Sequence, residues 1–191
     1  MDLHGIASGY IGAVNPFVLG TIRVSTGSTT GEDGKQVPSY VDVAGVPLQV
    51  QALTYKDIQQ VDSLNLNGTR RAIYVRGRVD GLVRAENKGG DLIILPVGQF
   101  WGEVDTNTLT VDAVLSGAVS LNDTVSGAGV TDAQVTALGS GSGGVGTYII
   151  SGSPQTVAEQ QMFSSQVWLV AMVLEQWPNW CKVAVTLQNR S

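Results

Sequence analysis

The 191-residue chain has few of the residues on which most catalytic and metal sites depend. It contains one histidine, His4, and one cysteine, Cys181, so it cannot form an internal disulfide and lacks the usual ligand set for zinc. Catalysis by a nucleophile and a histidine would have to use His4, which lies near the N-terminus at a predicted helix start, where a surface role fits better. Cys181 precedes an apolar strand and is typical of a small packing residue in a reducing compartment.

Long apolar runs are also missing. The longest, residues 167–174, is far shorter than the roughly 20 residues that a membrane-spanning helix needs. No basic stretch followed by an apolar segment opens the chain, so we expect neither a secretory signal nor a membrane partner. Charged residues make up only 14% of the chain and hydrophobic residues 43%, and there are 24 glycines. This composition is typical of a β-rich globular protein rather than a disordered one.

Positive charge is absent from a long central segment. No lysine or arginine occurs between Lys88 and Lys182, and residues 98–165 carry six acids and no base, whereas the rest of the chain carries 11 bases and 10 acids. The net charge of −5 argues against a general nucleic-acid binder. The shift in composition predicts an inserted domain over residues 98–165, within a core made of residues 1–97 and 166–191.

The core segments alternate between apolar and polar residues, as half-buried strands do. Thr54 and Asp57 resemble a capping box that opens a short helix through Val61. The sequence "TGSTTGEDGKQVPS", residues 26–39, is rich in turn formers and predicts a hairpin loop. The predicted core strands are Phe17–Ser25, Pro47–Leu53, Arg70–Val83, Asp91–Leu95, Val167–Leu174 and Lys182–Leu187.

Four apolar residues near the N-terminus lie at almost helical spacing. Three glycines among them weaken a helix that stands alone, so this short helix needs a partner surface. We therefore interpret these four residues as candidates for a subunit contact: Leu3, Ile6, Tyr10 and Val14.

The inserted segment has its own strand pattern, with turns between short alternating stretches. It predicts a small, mostly antiparallel β-sandwich. The whole chain is therefore expected to be mainly all-β: a small β-barrel or sandwich core with one or two short helices and an inserted small β-sandwich domain. The predicted strands of the insert are Leu109–Val114, Ala118–Leu121, Asp123–Val125, Ala133–Leu138 and Thr147–Ser151.

A glycine-rich stretch, "ALGSGSGGVGTYII" at residues 137–150, contains the spacing G-x-G-x-x-G twice. A phosphate-binding loop of this kind must lead into a helix whose N-terminus faces the phosphate. Here a β-branched and aromatic run follows and ends at Gly152 and Pro154. The stretch therefore predicts a flexible hairpin loop, and no nucleotide or other cofactor is expected.

No catalytic or metal-binding residues are predicted. Asp57 and Asp62 are the nearest approach to an acid pair on one element, and their spacing on a helix makes them diverge by roughly 140°. Arg76, Arg78 and Arg84 would share one face of an extended strand. They form either a basic strip toward DNA or an acidic partner or, the interpretation we favour, a solvated face balanced by nearby acids.

Three tryptophans, Trp168, Trp177 and Trp180, cluster near the C-terminus. They predict core packing or a subunit contact, for which Trp177 and Trp180 are the candidates. An aromatic platform for a sugar is the weaker alternative.

Four stretches together resemble small structural proteins of contractile-tailed bacteriophages: "IGAVNPF", "QVQALTYKDIQQVDSLNLNGTRRAIYV", "GRVDGLVRAENKGGDLI" and "WLVAMVLEQWPNWCKVAVTLQ". The order of strand, helix and strand with "GGD" before a final hairpin also looks like the head-closure proteins of phage necks. Residues 108–157, with "LTVDAV", "VSGAGV" and "GVGTYIISGSPQTV", look like a β module of phage fibres and appendages.

The resemblance implies a non-enzymatic virion protein that assembles in the bacterial cytoplasm. It would form part of a ring at the junction of tail tube and baseplate; the alternative is a ring in the neck, which connects head to tail. Its partners would be further copies of itself and other tail, baseplate or neck proteins, and contact with DNA in the channel stays open. A carbohydrate-binding module and a tail-associated cell-wall hydrolase are the remaining alternatives.

Overall fold

The computed structural model describes residues 15–62, 68–81 and 89–188. Within these ranges the chain forms ten strands and a single short helix, so the predicted all-β class is confirmed. That helix has eight residues, and no helix in the described part of the chain is long and apolar enough to cross a membrane. The elements are β1 (Val18–Thr30), β2 (Gln36–Gln51), α1 (Tyr55–Asp62), β3 (Arg70–Arg76), β4 (Leu92–Thr106), β5 (Thr108–Gly117), β6 (Thr124–Ser126), β7 (Ala133–Leu138), β8 (Gly146–Ile150), β9 (Gln155–Gln176) and β10 (Trp180–Leu187).

The described residues divide into two compact units. The first takes its residues from Met1–Ile94 and Trp168–Leu187, and the second from Leu95–Val167 and Gln188–Ser191. Both long strands β4 and β9 contribute residues to each unit. These limits lie a few residues from the predicted domain limits, but whether the second unit folds separately stays a prediction.

In the first unit the strands follow the order β1-β2-β3-β10-β9-β4, and β4 also pairs with β1, so the circuit closes as in a barrel. Strand β10 is the most buried element, with six consecutive buried residues, because β3 and β9 flank it on both sides. The core is formed by apolar side chains on the inner face of these strands, among them Ile22, Leu48, Ile73, Ile93, Val170 and Val183.

The first hairpin is longer than predicted. Residues 26–39 were expected to form a turn-rich loop, but β1 runs to Thr30, β2 begins at Gln36, and only five residues turn between them. Threonine favours strands, and pairing with β2 lets the serines between the threonines continue β1. The prediction was also wrong for β3, which ends at Arg76 rather than Val83 because Gly77 adopts a φ of 114°.

The second unit is built around β4 and β5, which pair from Gly98 to Gly117. The circuit continues through β8, β7 and β6, and β6 pairs with β9. Its core residues alternate along the strands, as the sequence predicted, and include Phe100, Val104, Leu109, Val111, Val135, Tyr148, Ile150 and Met162.

One predicted strand of the second unit is absent. Residues 118–121 form a loop in which the Ser120 backbone N–H donates to Asp123 Oδ2 at 2.8 Å. This side-chain bond competes with strand pairing, as short polar side chains do in turns. Val119 is still buried, so the alternation of apolar and polar residues in this stretch reflects which side chains are buried and not a strand.

Candidate functional site

The strongest candidate for a functional surface is an aromatic stack at the turn between β9 and β10. Trp177 and Trp180 flank Pro178 and Asn179, and the Trp177 N–H donates to the Trp180 carbonyl at 2.9 Å, which closes the turn. The two indole rings stack with centroids 4.2 Å apart and an interplanar angle of 7°. Trp177 is 42% exposed and Trp180 is half-buried.

A third aromatic ring extends this stack onto β3. Tyr74, on β3, lies 5.7 Å from Trp180 with the planes tilted by 33°. Such tilted arrangements are favourable for aromatic rings beyond the burial of their area. The stack is therefore anchored on β3 and β10, and the Trp177 ring forms its solvent-facing end.

A buried ion pair lies next to Tyr74. Lys182 is opposite Tyr74 in the pairing of β3 with β10, and its Nζ lies 5.7 Å from the centre of the Tyr74 ring. The same Nζ donates to Asp57 Oδ1 at 2.8 Å and to Oδ2 at 2.7 Å, and both side chains are buried. This pair fixes the start of α1 to the middle strand of the first unit.

The predicted capping box positions the carboxylate of this pair. The Thr54 N–H donates to Asp57 Oδ2 at 2.9 Å, and the Asp57 N–H donates to Thr54 Oγ1 at 3.3 Å. The sequence therefore predicted the cap correctly, with Asp in the place of the usual Glu. It gave no signal for Lys182 as the partner, because Lys182 is 125 residues away along the chain.

The ion pair is suited to holding structure rather than to proton transfer. Burial alone would raise the pKa of Asp57, but the hydrogen bonds from Lys182 and Thr54 outweigh it and lower that pKa. Burial likewise opposes the charge on Lys182, but the bonds to Asp57 raise the pKa of the ammonium overall. Both pKa values thus move away from the neutral range in which a general acid or base works best.

Asp91 of the "GGD" motif is a second buried carboxylate with internal partners. Its Oδ1 accepts the N–H of Ser25 and its Oδ2 accepts the N–H of Asp80, both at 2.8 Å. The Val170 N–H donates to the Asp91 carbonyl at 2.9 Å. The motif therefore ties β1 and β9 to the residues that precede β4.

The second unit buries Asp123. Besides the Ser120 N–H, the carboxylate accepts a bond from Gln166 Nε2 at 3.2 Å. Burial raises the pKa of Asp123, and these two bonds only partly oppose the shift. The acid therefore helps to shape the loop that replaces the predicted strand.

The glycine-rich loop uses its backbone donors internally. The Gly139 and Gly141 N–H groups both donate to the Thr147 carbonyl, at 2.9 and 3.2 Å, and the Gly143 N–H donates to the Tyr148 hydroxyl at 3.0 Å. That hydroxyl donates in turn to the Gly144 carbonyl at 2.6 Å. The loop joins β7 to β8 as predicted, but this bonding gives it a defined shape in place of the expected flexible one.

The predicted basic strip does not lie on one strand. Arg76 is the last residue of β3, and Arg78 follows Gly77 and bonds Asp80 Oδ1 through its Nε at 3.3 Å. Arg84 lies outside the described residues. The even spacing therefore no longer places these side chains on a common face, and their role stays a prediction.

The other predicted positions are placed as follows. The four N-terminal contact candidates, Leu3, Ile6, Tyr10 and Val14, lie outside the described residues. Trp168 is buried, as core packing predicts. Cys181 is buried too, and burial raises the pKa of its thiol, so it is not an activated nucleophile. In the described ranges, no three histidine, cysteine, aspartate or glutamate side chains are grouped as they would be around a metal ion.

Three comparisons, with family models, curated proteins and solved structures, found no match to this chain. What the chain does is therefore inferred from its own residues and from the sequence resemblance described above.

Proposed function

We propose that this chain is a non-enzymatic structural protein of a contractile-tailed bacteriophage, where it forms part of a ring at the junction of tail tube and baseplate. The phage assignment depends on the sequence resemblance. The observation that supports an assembly role is the stack of Trp177 on Trp180, which leaves a large aromatic surface in contact with solvent. Tryptophan is among the residues most enriched at the energetically dominant points of protein interfaces.

The buried polar groups favour an assembly role over catalysis. Asp57, Asp91 and Asp123 each accept hydrogen bonds from backbone or side-chain donors of this chain. A cell-wall glycosidase would instead need two carboxyl groups that face each other across a substrate cleft. These carboxylates act as internal braces, which is what a rigid building block requires.

The second unit would project from the ring. Residues 98–165 carry six acids and no base, so this part of the chain would contact a basic partner or act as a charged decoration. Its place on the particle would be next to sheath or baseplate proteins. Binding of a glycan by this unit is the alternative, and a glycan array probed with the whole chain distinguishes the two.

The test of the proposed function is the composition of the particle. Mass spectrometry of purified phage particles should detect the chain in stoichiometric amounts, and symmetry-averaged electron microscopy should place it in a ring next to the baseplate. Density in the neck instead would favour the alternative ring, which the "GGD" segment also resembles. Absence of the chain from intact particles would overturn the virion assignment.

A further inference from the structure

The outer part of the first hairpin forms a two-stranded arm, defined here as residues 24–30 of β1 and 36–46 of β2 with the turn between them. Pairing of β1 with β4 is confined to Thr21–Arg23, and pairing of β2 with β3 is confined to Leu48–Gln51. Within the described residues, the arm strands therefore pair only with each other. A ribbon of two strands is marginally stable in water unless one of its faces is covered.

One face of the arm is apolar. Val37, Val41 and Val43 occupy odd positions of β2, so their side chains lie on the same face, and they are 53%, 57% and 47% exposed. Charge on the other face is neutralised locally, because Arg23 donates to both carboxylate oxygens of Asp42 at 2.8 and 3.0 Å. The odd face of β2 is thus an uncharged strip of half-exposed valines.

The arm and the tryptophan stack lie at the same end of the first unit. Leu48, just beyond the arm, is opposite Val75 on β3, and the next residue of β3, Arg76, is opposite Trp180. The turn that carries Trp177 therefore points the same way along the strands as the arm does. Since Trp177 and the valines are all exposed in one chain, they do not cover each other within it.

We propose that the odd face of the arm packs on the Trp177 surface of a second copy of this chain. This inference rests on the proposed ring and names its subunit contact. A chain with a net charge of −5 repels its own copies, so a self-contact is favoured where the surface is uncharged, as it is on this face.

The geometry of the contact suits a ring. It joins two different surfaces head to tail, and such contacts generate a closed ring when the rotation between copies closes. The eleven arm residues of β2 span about 35 Å, and a ribbon two strands wide buries only several hundred Å² in total, below the area typical of stable complexes. Association of the free chain is therefore weak and depends on concentration.

The experiment measures self-association of the full chain by sedimentation velocity from about 1 µM to about 1 mM. Val41→Lys and Trp177→Ala should each weaken association at least about tenfold. Gln36→Lys, on the opposite face of the same strand, and Trp101→Ala, an equally exposed tryptophan of the second unit at 42%, should leave it unchanged. The variant with both substitutions should associate about as weakly as the single variant with the larger loss, because both substitutions break the same contact.

Several results would overturn this contact. They are a wild-type chain that stays monomeric over the whole range, a Val41→Lys chain that associates normally, and a double variant whose loss is the product of the two single losses. Circular dichroism and thermal unfolding of each variant separate loss of contact from loss of fold. Normal occupancy of the Val41→Lys chain in particles would refute the contact and leave the virion assignment intact, whereas absence of the wild-type chain from particles would refute that assignment alone.

Discussion

At the scale of single residues, the ion pair of Lys182 with Asp57 has the largest expected effect on stability. Lys182→Met would leave the Asp57 carboxylate buried without its partner, and such losses typically cost about 3–5 kcal/mol of the free energy of unfolding. Replacing both residues, with Asp57→Asn added, should recover most of that loss because no buried charge remains. Urea denaturation of the three proteins measures these differences.

An exposed pair provides the control. Lys35 and Asp33 form a 3.0 Å ion pair at the hairpin turn, where both side chains are mostly in solvent. Lys35→Met should leave the denaturation midpoint unchanged, since exposed pairs contribute little. A Lys182→Met protein as stable as Lys35→Met would show that the buried pair is not needed for the fold.

Asp57 and Asp123 should respond to pH in opposite directions. The pKa of Asp57 is lowered in the folded chain, so the stability it provides is present at neutral pH and is lost as the pH falls below about 4. The pKa of Asp123 is raised by burial, so its charge destabilises the folded state at neutral pH and this penalty disappears on acidification.

Asp123→Asn tests this sign. An amide keeps an oxygen for the Ser120 N–H and removes the buried charge. Its NH2 group would face Gln166, whose side-chain amide can rotate to present its oxygen, so the variant should be at least as stable as the wild type at pH 7. Lowering the pH toward about 4 should shift the balance toward the wild type, because a carboxyl group with a raised pKa takes up its proton more readily in the folded chain than in the unfolded one. The urea denaturation midpoints of the two proteins at the two pH values test this prediction. If the variant's gain in stability over the wild type is larger at the acidic pH, the assigned direction of the pKa shift is wrong.

At the scale of elements, the sequence predicted most strands but not all their lengths. Alternation identified β7 and β8 almost to the residue, and the capping box identified α1. The arm was missed because serine, threonine and glycine dominate residues 25–31, although the valines at 37, 41 and 43 already alternate with polar residues. The partner of Asp57 could not be found from sequence, because its position follows from tertiary pairing alone.

The glycine-rich loop yields a prediction for one element. A Cβ at Gly141 would overlap the Tyr148 ring, whereas a Cβ at Gly144 would meet no atom within 4 Å. Gly141→Ala should therefore destabilise the chain by about 1–3 kcal/mol through overpacking, and Gly144→Ala should change stability little. Thermal unfolding of the two variants makes the comparison; equal midpoints would mean that Tyr148 does not pack on this loop as described.

At the scale of the whole molecule, two compact units share one chain, and strands β4 and β9 each contribute residues to both units. The absence of lysine and arginine from residues 98–165 predicts an inserted domain there, and this stays a prediction. The proposed ring cannot be read from the structure of one chain, because it depends on contacts between copies. The separability of the second unit is the part that can be tested on the isolated protein.

The first unit should fold without the second. Joining Leu95 to Gln166 through Asn-Gly removes residues 96–165 and keeps Asp91 opposite Val170, as their 2.9 Å hydrogen bond requires. Asn-Gly is the preferred link for a tight hairpin, and a shorter loop costs less entropy to close. The shortened chain should show a β-rich circular dichroism spectrum, a cooperative unfolding transition and dispersed amide resonances.

A matched variant that joins Leu95 to Val167 shifts the register by one residue and turns the β9 side chains to the wrong face, so it should fold poorly. If both shortened chains are unfolded, the first unit depends on the second and the insertion hypothesis is wrong. If both fold equally well, the first unit is independent but the register taken from the hydrogen bond of Val170 with Asp91 is wrong.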